Sequence, residues 1–239
     1  MGIMSSIQNA SRRTALIDLV VFVAFALISK KLLDPIIWRY AGPVTLVTTL
    51  VLLTAYMRVR GESWASMGLG ALPGVRAKLL LIPQTMLTFA AFAGVVAAVL
   101  FGSQALGLEF MSEMPEGVEE RWGDIRGNLQ LYLVWMLIVW TAAAFGEEMF
   151  FRGFLITRLM TVFEGVKFAP VFAVVLPALL FGYGHMYYQG LRGFVMTGAI
   201  ALAFGTMFLL FKRNLYPVIL VHGIVDSIGF TARFMDWDV

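Results

Sequence analysis

The sequence predicts an all-α fold: a polytopic bundle of membrane-spanning helices forming a single membrane domain over residues 1–239. Three observations carry this expectation. The chain is 60% hydrophobic and only 14% charged, where soluble domains carry roughly 25% charged residues. Its apolar residues come in long runs instead of amphipathic stripes, and several runs approach the roughly 20 residues a spanning helix needs. The charges collect between those runs.

Taken in order, the runs give about seven transmembrane spans. Ala15–Ile28, extended by Leu32 and Leu33, is the first, trimmed by Asp18 and the Lys30–Lys31 pair. Asp18 stands near a helix N-terminus and reads as interfacial. Ile36–Met57 and Leu79–Phe101 follow, completing three accessory spans over residues 15–101. Leu129–Phe145 opens a fourth region that stays apolar to about Phe163. Phe168–Tyr183, Phe194–Phe211 and Tyr216–Phe230 supply three more, so that the last four spans form a core over residues 129–232. Trp38, Tyr40, Trp135 and Tyr216 lie near run ends, where interfacial aromatics are enriched.

The connections add exclusions. Arg58–Lys78 is basic and rich in glycine; Ser103–Asn128 is the longest, with six acids against two arginines. No internal repeat, low-complexity tract or linker divides the chain. Met1–Arg13 is polar and short and carries no cleavage-site pattern, so the first span is expected to be retained. With no cysteine, disulfides, thiolate metal sites and a cysteine nucleophile are excluded. A net charge of +3 spread over several loops fits loops facing a lipid bilayer, not a nucleic-acid groove. Alternating the seven spans puts ten lysines and arginines on the N-terminal side against seven on the other, which favours a cytoplasmic N-terminus.

Ionisable side chains within spans cost roughly 2.5–3.5 kcal/mol each on insertion scales, so each needs a reason. Here they concentrate in the last four spans. Glu147, Glu148 and Arg152 sit inside an apolar stretch, Phe181 to His185 closes the fifth span, and His222 and Asp226 lie in the seventh. The chain has two histidines, and both are in these places. Glu148 and Arg152, Phe181 and His185, and His222 and Asp226 are each four apart, hence on one helix face. Glu148 can pair with Arg152 one turn on. Adjacent helical residues diverge by about 100°, which leaves Glu147 free. Asp226 can accept from one imidazole nitrogen of His222 and fix its tautomer.

Depth decides whether these groups meet. With Gly165 as the turn of a helical hairpin, Glu147 and His185 lie about 27 and 30 Å of helix from it, at similar depth. This requires a long or bent fourth helix running to about Phe163, with Gly146 and Gly153 as candidate breaks. Singly, each motif reads as well as a helix–helix contact; three in four consecutive spans read as a site.

The motifs resemble those of the CPBP family, the CAAX-protease and bacteriocin-processing (Abi) membrane proteins. The family pattern of EExxxR, FxxxH and HxxxN or HxxxD appears as Glu147-Glu148-x-x-x-Arg152, Phe181-x-x-x-His185 and His222-x-x-x-Asp226. Gly198–Gly205, a small-residue pattern suited to close packing, matches too. The resemblance covers about residues 130–232, with a looser likeness around Trp64–Leu69. It implies a glutamate-dependent intramembrane endopeptidase that cuts a membrane-associated peptide or protein without a metal cofactor. Glu147 would be the general base and His185 would hold the attacking water. His222 and Asp226 would stabilise the oxyanion, while Glu148, Arg152 and Phe181 support the site. CAAX prenyl proteases typically have Asn where this chain has Asp226. A carboxylate donates no hydrogen bond unless protonated, so Asp226 is expected to orient His222 and leave the oxyanion to the imidazole.

Other protease classes lack their motifs. There is no His-Glu-x-x-His and no Gly-x-Gly-Asp, and Gly61-Glu62-Ser63 falls in a charged loop without a histidine partner. Two rivals remain. Two Glu, two His and an Asp can ligate zinc, in a metalloprotease or a transporter, although no inverted repeat supports transport. A non-catalytic scaffold or bacteriocin-immunity protein is the other. The basic, compact, cysteine-free chain points to a bacterial inner membrane, with pheromones, bacteriocins or membrane proteins as substrates. Nothing in the sequence sets an oligomeric state.

Overall fold

The computed structural model describes residues 11–113 and 115–237, so most of the polar start read over Met1–Arg13 lies outside the described residues. Among the described residues there are helices and turns and no strand. Four helices, Gly74–Ala105, Leu129–Val162, Ala169–Leu210 and Tyr216–Phe234, are long and apolar enough to cross a membrane. The first has a mean hydropathy of 2.1 with only 6% of its most apolar stretch buried. Such a helix leaves its apolar surface to lipid. The protein is therefore an integral, multi-pass membrane protein.

Helix α1 (Arg12–Val59) starts at Ser11, whose hydroxyl accepts from the Thr14 amide, a favoured N-cap arrangement. It turns back at Ile37, where the backbone leaves helical geometry (φ −137°, ψ 45°). The legs are antiparallel: the Tyr56 hydroxyl donates to Asp18 Oδ1 at 2.6 Å, and Phe22 packs on Tyr56. The first two apolar runs of the sequence lie on the legs of this hairpin. The first leg runs past the charges that trim it in the sequence because Lys30 and Asp34, one turn apart, pair at 2.8 Å.

Asp18 differs from its sequence reading. It is 2% exposed and pairs with Arg158, which also binds Glu62. The cause is tertiary: α5 (Thr157–Val162) packs against α1 and carries Arg158 to the carboxylate.

A 3₁₀ turn at Trp64–Met67 leads to α2 (Gly74–Ala105). Gly68 follows that turn at φ +103°, where a Cβ would stand 2.3 Å from the Arg213 carbonyl. Its own carbonyl accepts from the Leu215 amide. Only glycine combines that backbone conformation with that approach, so the segment is pinned against the turn at Arg213–Leu215.

A short α3 (Glu116–Trp122) precedes α4 (Leu129–Ile138). From α4 the chain runs through a π-helical segment, Val139–Ile156, into α5 as one helix of 34 residues, Leu129–Val162. The long fourth helix is thus present, wound wider through Gly146 and Gly153 instead of broken there. Wide π turns occur preferentially at functional sites, and this one carries Glu147, Glu148 and Arg152.

Helix α6 (Ala169–Leu210) is a second hairpin, turning at Gly190 (φ 59°, ψ −158°). A Cβ on Gly182 would stand 2.6 Å from the Phe194 carbonyl, and one on Gly205 3.0 Å from Val174. The legs therefore touch through glycine, as the small-residue pattern at Gly198 and Gly205 requires. Helix α7 (Tyr216–Phe234) completes the bundle. The π segment packs against α1, α6 and α7, which makes it the axis on which the site is built.

Candidate active site

The π segment presents Glu147 and Glu148 in different directions, as adjacent helical positions must. Glu148 is fully buried and accepts from Arg152 Nη1 at 2.9 Å. The Arg152 guanidinium lies 4.9 Å from the Phe181 ring and 5.4 Å from the Phe204 ring, a sandwich between the two legs of α6. Glu147 keeps 21% of its side-chain surface and lines a cavity. The sequence reading of one committed and one free glutamate matches this geometry.

His222 approaches from α7. Its Nδ1 is 2.8 Å from Glu148 Oε1, while Nε2 is 3.4 Å from Asp226 Oδ2 and 3.8 Å from Glu147 Oε2. A carboxylate only accepts, so Nδ1–H donates to Glu148 and Nε2 faces the other two carboxylates. The short contact that orients this ring is therefore with Glu148, and Asp226 stands farther off on the opposite nitrogen. The sequence shows the Asp226 side of this arrangement and not the Glu148 side, for a physical reason. The His222–Asp226 spacing is legible within one helix, whereas Glu148 and His222 meet only through packing of the π segment on α7. Gly223 permits that packing, since a Cβ there would stand 2.6 Å from the Trp140 ring.

His185, on the first leg of α6, donates from Nδ1 to the Phe181 carbonyl at 2.9 Å. In the neutral ring this leaves Nε2 as an acceptor. Its ring also lies 4.5 Å from the Phe181 ring. Phe181 thus positions His185 by backbone and side chain together, and Arg152 through its face.

One cavity of about 540 Å³ is lined by Glu147, Glu148, Arg152, His185, His222 and Asp226. All the residues singled out in the sequence meet there, Phe181 included. The walls between them are apolar, among them Leu46, Val139, Phe150 and Leu180. A carboxylate base, imidazoles and a dry wall together suit hydrolysis of a polar bond in an apolar chain. Among the described residues no three His, Asp or Glu side chains are arranged to hold a metal ion together.

Sequence reasoning missed the rim of the cavity. Arg121 of α3, Lys30 of α1, and Tyr187 and Tyr188 just after His185 all line it. The signal available was faint: Arg121 is one of two arginines in an otherwise acidic connection.

Residues 129–228 match the family model described as Rce1-like, type II CAAX prenyl endopeptidase Rce1-like. The match spans the helices that carry the three motifs and agrees with their resemblance to CAAX proteases. No curated protein and no solved structure matches the chain. The matched family supports membrane endopeptidase activity of the CAAX-protease type, with a membrane-associated substrate.

Proposed function

We propose that this protein is a glutamate-type intramembrane endopeptidase in which Glu147 activates the attacking water. The observation that carries the reading is the one cavity into which three helical segments bring Glu147, His185, His222 and Asp226. Glu147 takes a proton from water as the oxygen attacks the scissile carbonyl, and later gives it to the leaving amine. His185 Nε2, left as an acceptor by the bond from Nδ1 to Phe181, holds that water from the second side. His222 Nε2 serves the developing oxyanion, which requires the doubly protonated imidazolium because Nδ1–H is committed to Glu148. Glu148 and Arg152 fix the imidazole from behind, and Asp226 flanks its Nε2 side.

The finer assignments follow the same reading. With α1 and α6 as hairpins, every apolar run lies on its own helix leg, which supports seven crossings with the last four as the catalytic core. The substrate is a peptide or membrane protein at the bacterial inner membrane, the N-terminus is cytoplasmic, and no metal takes part.

The test compares peptides released from membranes carrying the wild type and the Glu147→Gln variant. Gln keeps size and polarity and removes the base, so released peptides should vanish while the variant stays folded. Cleavage by Glu147→Gln at the wild-type rate removes Glu147 as the base.

A further inference from the structure

Four cationic side chains line the cavity: Lys30, Arg121, Arg152 and Arg233. Three have a carboxylate. Lys30 pairs with Asp34 at 2.8 Å, Arg152 with Glu148 at 2.9 Å and Arg233 with Glu119 at 2.6 Å. Arg121 pairs with no carboxylate among the described residues, although it is only 8% exposed. Neutral groups hold it: Nη1 donates to the Tyr187 hydroxyl, and the guanidinium lies 4.7 Å from the Tyr188 ring. Burial pulls its pKa down from the ordinary arginine value. A buried cation without a counter-charge is unfavourable until an anion arrives, and the planar guanidinium fork matches a carboxylate bidentately.

Behind Arg121 the short helix α3 packs on α6. A Cβ on Gly117 would stand 2.7 Å from the Tyr188 carbonyl, so α3 lies directly on α6 there. On either side, Arg192 donates to the Glu113 carbonyl at 2.8 Å and Arg39 to the Glu120 carbonyl at 3.2 Å. Arg121 and Glu147 line the same cavity, and a peptide lying in it that reaches Arg121 meets this packing, which suits the end of a chain better than a chain passing through.

We propose that Arg121 is a specificity residue that anchors the free C-terminal carboxylate of the peptide substrate. The inference rests on the protease reading above, and its test separates the two. Two mixtures of apolar hexapeptides, identical except for a free-acid or an amide C-terminus, are offered to the full-length protein in detergent. Cleavage is followed by mass spectrometry. Binding of the fluorescent peptides is measured separately on Glu147→Gln protein.

The acid forms should be favoured about tenfold or more in binding and in KM, the range expected for a buried charge-assisted pair. Arg121→Gln should bring that ratio close to one, and Arg121→Lys should restore part of it. Should Arg121→Gln misfold, Arg121→Lys and the wild-type ratio still decide. Equal handling of acid and amide by the wild type, or a ratio unchanged in Arg121→Gln, overturns the assignment. So does equally tight binding of amides carrying an internal Glu. Selectivity found only in phosphatidylglycerol vesicles, and absent in detergent, would assign Arg121 to lipid phosphate instead. Acid-selective binding without cleavage keeps the anchor and sinks the protease reading; cleavage without selectivity does the reverse.

Discussion

Arg152→Ala tests the buried framework of the site. The substitution removes the donor that Glu148 Oε1 takes at 2.9 Å, between side chains that are 2% and 0% exposed. Glu148 keeps only His222 Nδ1, at 2.8 Å. Breaking a buried pair from one side costs roughly 3–5 kcal/mol, because an uncompensated charge stays behind. The packing of the guanidinium between Phe181 and Phe204 is lost as well. For a chain of this length each kcal/mol shifts the melting temperature by about 2–4 °C. A fall of about 6–20 °C is therefore expected for the detergent-purified protein, read by tryptophan fluorescence. Removing the stranded charge too should recover part of the loss, so Arg152→Ala with Glu148→Gln should melt above Arg152→Ala alone. A single variant that melts within about 2 °C of wild type, below the shift of one kcal/mol, refutes the reasoning. A double variant less stable than the single one does so as well.

His222→Ala should lower the rate about 100- to 1,000-fold, the usual effect of losing one oxyanion donor, whereas Asp226→Asn should keep substantial activity. Equal and complete inactivity of both, on one peptide substrate, would sink the assignment. Chelator-washed protein should contain no stoichiometric metal and keep its activity. One metal per chain, lost together with activity on chelation, would favour the zinc-dependent alternative.

The fold was largely legible because hydropathy registers every leg, whatever its connections. The connections were not. Ile37 and Gly190 reverse the chain within almost no loop, and nothing in composition distinguishes a one-residue reversal from a longer link. Gly190 is a clue only once its φ of 59° is known. At the site, pairs four apart on one helix are visible as such, and Glu148–Arg152 is one of them. Contacts across helices were not: Glu148 with His222, Asp18 with Arg158 and Arg121 with Tyr187 each join residues far apart in sequence. Periodicity places a side chain on a face but is silent about which helix that face meets.

The cross-helix contact also bears on why position 226 can carry Asp where the CAAX prenyl proteases that the motifs resemble typically carry Asn. Were Asp226 the only group that orients His222, an amide there would have to hold the ring by its carbonyl alone. Instead Glu148 Oε1 accepts from both Arg152 Nη1 and His222 Nδ1, so one oxygen fixes the imidazole and is itself fixed by a guanidinium one helical turn away. The ring's tautomer is thereby set from the buried side. What remains for position 226, at 3.4 Å from Nε2, is to flank the nitrogen that faces the cavity. A carboxylate does this by accepting from Nε2–H. An amide does it by accepting through its carbonyl while its NH₂ turns to the oxyanion as a second donor. Both solutions keep the Nε2–H donor of the proposed mechanism, and they differ in the hydrogen bond that the amide adds.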